Sequence, residues 1–404
     1  MSEMTAMTAM TAMTAMTAMT GRNASNLSSL TGLYNDPVVT DALISSRSRN
    51  TPEAPNDVPH WSPARLRDFA AGALPGFNKV EHLAWWQPEV RAHICAQELA
   101  RNLVFEFDIG NEMVTLHHLA NQDLDEANFE AELKAALALV RGSNKQLVVG
   151  QHQILVSMKR PGRPVFDEQL DKVIAHAKSE LRRSRANEAL AQILPQVPFW
   201  ASVVPLSPWR TPSSYEFLGI ALKFCNEVCH GFKHALAVPR PSELSPLVQP
   251  ILQTPGWAAL PSGHATEAFM AARLLAGLFA QDECNSRLLL TLQKQAAAIA
   301  DNRVYAGLHY PVDGIAGRLL GHTLAEYVMA MAGARLNWHG RKFGESAAQL
   351  GDADLNVNLP LDGTGAPTYY TAAGDGHCVA SPILSEMWRR ARVELAGLGF
   401  GDEP

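Results

Sequence analysis

Three short segments in the second half of the chain carry the residue types of an anion-binding catalytic site. They are, in chain order, Lys233 with Arg240-Pro241, Pro261-Ser262-Gly263-His264, and Arg303 with His309 and Asp313. Each segment alone is a weak signal, because basic and small polar residues are common on protein surfaces. Together, in this order, they predict one site that is assembled from three separate parts of the fold.

If the segments converge, their cations would hold a tetrahedral oxyanion. Arg240 and Arg303 offer planar guanidinium groups that match phosphate-like anions, and Lys233 adds a compact positive charge. Ser262 could donate through its hydroxyl group. The two residues after Ser262 would begin a helix. Their N–H groups would then lie at the helix N-terminus, which favours a bound anion. The set therefore predicts a binding pocket for phosphate or a phosphate analogue.

Two histidines, His264 and His309, would supply the chemistry. One could attack the central atom of the anion, or ligate it if that atom is a metal, while the other acts as general acid or base. Asp313 lies four residues after His309 and could fix the tautomer of its ring. Gly307 is expected to break the helix between Arg303 and His309, so that both side chains face the site.

The pattern K-x6-R-P, P-S-G-H and R-x5-H-x3-D resembles the three-part signature of the type 2 phosphatidic acid phosphatase/vanadium-dependent haloperoxidase superfamily. The resemblance covers residues 233–313 by motif and residues 200–335 by helix pattern. It implies a helical bundle with one oxyanion pocket, which lipid phosphatases, acid phosphatases and haloperoxidases share. One position departs from the signature, since Asn302 stands before Arg303 where serine is usual.

The resemblance also implies a role for each residue. It implies that the oxygens of vanadate or phosphate are bound by Lys233, Arg240, Ser262, Gly263 and Arg303. His309 would be the vanadium ligand of a haloperoxidase or the phosphorus nucleophile of a phosphatase. His264 would be the acid–base group, and Asp313 would orient His309.

Within the superfamily, the sequence favours a vanadium-dependent haloperoxidase, a peroxidase-type oxidoreductase with vanadate as its cofactor. Its partners would be hydrogen peroxide, a halide and a small organic acceptor. A candidate halide pocket follows from the resemblance: His230 stands where many haloperoxidases have tryptophan, and Trp257 stands at a position that is commonly aromatic or histidine. Two alternatives stay open: a soluble phosphatase that hydrolyses phosphomonoesters through a phosphohistidine without a cofactor, and a non-catalytic oxyanion-binding protein.

Composition narrows the remaining classes. The net charge of −6 offers no basic field that would attract nucleic acid, so we expect no nucleic-acid partner. No stretch reaches the roughly 20 apolar residues of a membrane span, and the N-terminus lacks the positive and apolar regions of a secretory signal, so we expect a cytoplasmic protein. The five cysteines show no regular spacing, which argues against a disulfide framework and favours packed thiols.

The elements that must position the site are expected to be helices, because strand signals are scarce. Helical patterns cover residues 80–107, 125–141, 168–194, 213–236, 263–281, 286–306, 311–333 and 382–397. The fold class is predicted to be all-α, with helical bundles of the acid phosphatase/haloperoxidase type. The expected domains are a disordered low-complexity tail and linker (1–58), an N-terminal helical region (59–200), the site-bearing bundle (201–335), and an irregular segment with a terminal helix (336–404). A long N-terminal helical region also favours a homodimer.

Overall fold

The structure is a computed structural model. It describes residues 77–120, 151–193, 196–279, 287–344, 355, 357 and 370–400. The chain divides into two compact units, one of residues 17–91 and one formed mainly by residues 92–404. The predicted tail (1–58) and the predicted helix 125–141 lie outside the described residues, and the expected domain boundaries stay predictions.

The described part of the first unit is a short aromatic segment. A 3-10 helix spans Val80–Trp85, and the ring of His82 stacks on that of Trp85 with 4.3 Å between centroids. The Arg91 guanidinium donates to the carbonyls of Leu83 and Trp86. These bonds satisfy main-chain acceptors at the end of the 3-10 helix, where no further helical turn supplies donors.

The described residues contain ten α-helices. They are α1 (Pro88–Ala100), α2 (Arg163–Ala177), α3 (Glu180–Ala191), α4 (Val197–Ala201), α5 (Pro212–Leu236), α6 (Pro241–Leu244), α7 (Gly263–Phe279), α8 (Arg287–Tyr305), α9 (Pro311–Met331) and α10 (Pro382–Ala396). Helices α5, α7, α8 and α9 carry the three predicted segments or end beside them, and α7 packs against each of the other three. None of the helices in these ranges is long and apolar enough to cross a membrane.

The prediction of an all-α fold is wrong, because the protein also contains a five-stranded mixed sheet. Its strands, in spatial as well as chain order, are β1 (Leu103–Asp108), β2 (Met113–Ala120), β3 (Gln151–Lys159), β4 (Trp338–Phe343) and β5 (Tyr370–Gly376). Strands β3 and β4 are parallel and the other neighbours are antiparallel. The first three strands fall in the region that was predicted to be helical, and the last two fall in the segment that was predicted to be irregular.

Two physical reasons explain the error. The helical pattern of residues 80–107 runs across a real boundary: α1 ends at Ala100, and the aromatic and branched residues of β1 follow almost directly. Strand propensity also depends on the neighbour that a strand finds, which a local pattern does not contain. Here β3 finds β4, a partner distant in sequence, with Val156 opposite Arg341.

The sheet is attached to α9, the helix that begins at the predicted site. The Arg341 guanidinium on β4 donates to both carboxylate oxygens of Glu326 on α9, at 3.0 and 2.9 Å, and both side chains are buried. His118 on β2 contacts the Tyr327 hydroxyl at 3.2 Å, and the Trp338 ring packs edge-on against both. A buried, hydrogen-bonded pair of this kind fixes one arrangement of strand and helix.

Helices α7 and α9 approach each other unusually closely, because α9 presents glycines to α7. A Cβ added at Gly321 would overlap the Thr266 carbonyl oxygen and lie 2.9 Å from the Met270 nitrogen. A Cβ added at Gly317 would lie 2.8 Å from the Ser262 carbonyl oxygen. This close contact brings the start of α7, with its predicted anion-binding residues, against the start of α9.

We therefore expect Gly321→Ala to destabilise the protein. Alanine gains about 1 kcal/mol of helix propensity over glycine, but the backbone clash with α7 should cost about 1–3 kcal/mol beyond that gain. Urea denaturation at equilibrium measures the change. Gly314→Ala in the same helix is the matched control, because its added Cβ would lie 3.2 Å from the movable end of the Leu355 side chain. Equal stability of the two variants would contradict the role assigned to the close approach.

Candidate active site

The three predicted segments meet at one pocket beside the first turn of α7. The pocket is lined by Asn226, Cys229, His230, Lys233, Arg240, Pro255, Trp257, Gly263, His264, Glu267, Leu308 and His309. Seven of these residues were predicted from the sequence as site or halide-pocket residues. The other three predicted residues, Ser262, Arg303 and Asp313, are buried next to lining residues rather than at the pocket surface.

His309 is held by Asp313 so that one ring nitrogen faces the cations. Its Nδ1 lies 2.9 Å from Asp313 Oδ2, which also accepts from the Tyr310 N–H at 2.9 Å. Because a carboxylate accepts, Nδ1 carries the proton and Nε2 carries the lone pair. The Arg240 guanidinium lies 3.2 Å from that Nε2. Burial, and then the charge of Arg240, hold the pKa of His309 well below its usual value, so the ring is neutral.

Gly307 produces the geometry that places His309 in the pocket. Helix α8 ends at Tyr305, two residues after Arg303, and Gly307 then adopts a positive φ of 79°. A Cβ there would lie 2.9 Å from Val248 Cγ1, so neither the conformation nor the space suits another residue. The predicted helix break at Gly307 is therefore confirmed.

Arg240 is fixed between two loops. Its Nε donates to the Trp257 carbonyl at 2.9 Å, and its NH1 donates to the Leu308 carbonyl at 2.9 Å. The Arg240 main-chain N–H donates to the Glu243 carboxylate in the first turn of α6. Burial lowers the pKa of Arg240 to about 10, which still leaves the guanidinium charged at neutral pH. The side chain thus joins the loop before α7 to the loop before α9.

Lys233 is bound by main-chain carbonyls, which the sequence did not predict. Its ammonium group donates to the carbonyls of Ala258, Ala259 and Pro261 at 2.9, 3.0 and 2.6 Å. An ammonium group has three N–H donors, so all of them are engaged by the main chain. Burial lowers the pKa of Lys233 to about 8. A direct contact with an anion would require the ammonium group to give up one of these carbonyls.

The start of α7 combines a helix cap with exposed amides. The Ser262 Oγ accepts from the Ala265 N–H at 3.4 Å, and the Ser262 N–H donates to the Asp313 carbonyl at 2.9 Å. Gly263 and His264 are the first residues of the helix, so their N–H groups lie outside its internal hydrogen bonding. A Cβ at Gly263 would lie 4.0 Å from Lys233 Cε, inside the pocket. Glycine therefore keeps this part of the pocket open.

The surroundings of His264 keep its ring neutral. Burial, followed by the charge of Arg303, lowers the pKa of His264 from 6.5 to about 3, while a hydrogen bond to the main chain of Gln192 acts in the opposite direction. A carbonyl that raises the pKa accepts from a ring N–H, so the second ring nitrogen of His264 carries a lone pair. At neutral pH the ring is therefore unprotonated.

Arg303 is anchored on one side and has spare donors on the other. Its NH2 donates to the Ala189 carbonyl at 2.6 Å and to Gln192 Oε1 at 3.2 Å. Its Nε and NH1 are buried and have no hydrogen-bond partner among the described residues. Buried N–H donors of a charged group are costly without an acceptor. Their chemistry fits an oxyanion at this position.

Gln192 is a residue that the sequence analysis missed. Its Oε1 also accepts from Asn302 Nδ2 at 3.0 Å, so the unusual asparagine of the third motif reaches the same anchor as Arg303. Gln192 follows directly after α3 and is fully buried. Nothing in the sequence distinguishes it from other glutamines at helix ends, and only the packing of α3 against α8 reveals it.

The candidate halide-pocket residues do lie together at the pocket. The rings of His230 and Trp257 meet edge to face with 5.4 Å between centroids. Beside them lie Asn226 and Glu267, which were not predicted as site residues, with Asn226 Nδ2 3.4 Å from Glu267 Oε1. Glu267 is three residues after His264, so helical spacing could have placed it on the same face.

Comparison with known proteins agrees with this geometry. No curated protein matches the chain significantly. A family model described as the PAP2 superfamily matches residues 216–336, a range that contains the three motifs but not Gln192. The resemblance drawn from the motifs is thereby confirmed, and residues 216–336 form the part of this chain that matches the PAP2 superfamily.

Proposed function

We propose that the protein is a vanadium-dependent haloperoxidase. The match to the PAP2 superfamily fits both a phosphatase and a haloperoxidase. What favours the haloperoxidase is the pair of candidate halide-pocket residues, since the rings of His230 and Trp257 meet at the pocket with 5.4 Å between centroids. His264, which is neutral at neutral pH, would take part in the proton transfers of either reaction.

The residues of the pocket fit vanadate. Arg303 would bind its oxygens through the buried Nε and NH1 donors, together with the N–H groups of Gly263 and His264. His309 would be the ligand, because its Nε2 lone pair faces the pocket. Bound vanadate would supply an electrophilic centre that accepts peroxide and passes one oxygen to the halide.

Residues of the chain would carry out the proton transfers. His264 would accept a proton from hydrogen peroxide and later return it to the oxygen that leaves as water. Asp313 would keep His309 in one tautomer, and the buried charges of Lys233 and Arg240 would stabilise the added negative charge. The overall reaction balances: hydrogen peroxide, a halide and one proton give a hypohalous acid and water.

A phosphatase remains the second candidate, because the buried Nε and NH1 donors of Arg303 and the Nε2 lone pair of His309 suit phosphate as well as vanadate. In this version, His309 Nε2 would attack the phosphorus of a phosphomonoester, the alcohol would leave with a proton from His264, and water would then release phosphate. This reaction needs no cofactor.

One paired assay separates the candidates. The purified protein is loaded with orthovanadate and assayed for bromination of monochlorodimedone by peroxide, and is assayed without vanadate for hydrolysis of p-nitrophenyl phosphate. Vanadate-dependent bromination is the expected result. Hydrolysis that vanadate inhibits, without bromination, would replace the proposal with the phosphatase. Vanadate binding with neither activity would indicate a non-catalytic oxyanion-binding protein.

His309→Ala should abolish turnover in whichever assay is positive, by about 1,000-fold or more, because it removes the ligand or nucleophile. His234→Ala is the control: His234 is an exposed histidine that neighbours Lys233 on α5 and does not line the pocket. We expect the control to keep wild-type rates. An active His309→Ala protein would show that the site lies elsewhere.

Gln192→Ala should weaken vanadate binding about tenfold, which equals about 1.4 kcal/mol. The substitution removes the acceptor that Asn302 and Arg303 share, so the Arg303 donors would no longer be held toward the pocket. Titration with vanadate, followed by isothermal calorimetry, measures the change. The exposed Gln253→Ala is the control. Unchanged affinity in a folded Gln192→Ala protein would remove Gln192 from the site.

The pH dependence should reflect the low pKa of His264. Since the ring is neutral down to a pKa of about 3, kcat/KM for peroxide should stay level from pH 7 to about pH 5 rather than fall through 6.5. Arg303→Gln removes the charge that helps to lower this pKa, so it should move the acid limb upward. A wild-type limb near pH 6.5 would contradict His264 as the base in these surroundings.

A further inference from the structure

Glu267 gives the mouth of the pocket a charge opposite to that of its floor. The floor is formed by Lys233, Arg240 and His309, all buried. Glu267 lines the same pocket and is only partly buried, one helical turn along α7 from His264. Its negative charge reaches the floor, since it favours the charged form of Lys233 and so acts to raise that pKa. The pocket is therefore polarised from a cationic floor to an acidic mouth.

The wall on the α5 side is a polar and aromatic ladder. Asn226, His230 and Lys233 follow one another at spacings of four and three residues, so they lie on one face of α5. The Asn226 carbonyl accepts from His230 Nδ1 at 2.9 Å, which fixes the ring of His230. Asn226 also holds Glu267 through its side-chain amide. The carboxylate at the mouth is thus oriented by the helix that carries Lys233 on its floor.

An indole ring lies beside the ladder. Trp257 is partly buried, lines the pocket and meets the His230 ring edge to face at 5.4 Å. Trp257 is held there because its carbonyl accepts from Arg240 Nε on the floor. An indole face binds flat rings by stacking and binds cations by its quadrupole. The mouth thus combines an aromatic surface with one carboxylate.

We propose that this mouth is the binding site for the organic acceptor, and that the acceptor is an aromatic amine. Its ring would pack against Trp257 and His230, and its ammonium or amine N–H would donate to Glu267. Only the role of this ligand as an acceptor rests on the haloperoxidase proposal. The class of ligand follows from the mouth itself.

A cation could bind close to three buried cations once an oxyanion occupies the floor of the pocket. An oxyanion on the floor would neutralise the charges of Lys233, Arg240 and Arg303, which leaves Glu267 as the charge that a second ligand meets at the mouth. Aromatic carboxylates would face that charge with the wrong sign. Amine binding should therefore be tighter when an oxyanion is present, and the two ligands should stabilise each other.

The test compares three probes of one ring system: tryptamine, indole and indole-3-acetate. Their binding is measured by isothermal calorimetry, with and without saturating inorganic phosphate, so no turnover is needed. With phosphate present, we expect tryptamine to bind at least about tenfold more tightly than indole-3-acetate, and we expect phosphate to strengthen tryptamine binding. Equal affinity for the three probes would overturn the proposal.

Two matched variants assign the effect to Glu267. Glu267→Gln should weaken tryptamine binding about tenfold and leave indole binding within about twofold, since only the charge is removed. Glu227→Gln is the control, because Glu227 lies beside Asn226 on α5, is exposed and pairs with Lys223 at 3.0 Å rather than lining the pocket. Tryptamine affinity that falls equally in both variants, or in neither, would overturn the assignment.

These results are independent of the reaction. Selective tryptamine binding without any bromination would keep the aromatic-amine site and reject the haloperoxidase. Bromination with no preference among the three probes would keep the haloperoxidase and reject the aromatic-amine site.

Discussion

Asp313 is the residue that holds the second and third segments of the site together. Its carboxylate accepts from the His309 ring and from the Tyr310 N–H, and its main-chain carbonyl accepts from the Ser262 N–H. One residue therefore sets the tautomer of the histidine, caps the start of α9 and ties that start to α7. Burial raises the pKa of Asp313 to about 7, and the hydrogen bond from the Tyr310 N–H acts against that rise. The glycines of α9 make the arrangement possible, because only close helices bring Ser262 and Asp313 within hydrogen-bonding distance.

The electrostatics of the pocket follow from how its cations are held. Lys233 and Arg240 donate mainly to main-chain carbonyls, which satisfy the N–H groups without cancelling the charge. The positive charge therefore remains. Burial is the main cause that lowers the pKa of His264 and of His309, and the positive charges of the pocket add to it. A site that paired each cation with a carboxylate would lose the attraction for an oxyanion, while burial would still favour neutral histidines.

The sequence predicted which residues meet at the pocket better than it predicted the fold class. Motif spacing could identify the pocket because its key residues lie at or near helix ends, where local rules apply: Gly307 breaks a helix, and Ser262 and Asp313 cap two others. The sheet could not be predicted in this way, since β3 acquires its partner β4 only in the folded chain. Contacts that depend on packing were missed for the same reason. The hydrogen bonds from Lys233 to main-chain carbonyls and from Arg303 to Gln192 both join elements that no local pattern connects.

The region that matches the PAP2 superfamily is not sufficient to build the site. Arg303 takes its orientation from Ala189 and Gln192, which lie before the matched residues. The Val312 N–H at the start of α9 donates to Gln169 of α2 at 2.9 Å, so a second helix from outside the match completes that helix end. Asn302, which stands where serine is usual, also depends on this region, because its longer amide side chain donates to Gln192 at the end of α3. Residues before 216 thus position part of the candidate site, and the motifs alone do not contain all the contacts that support it.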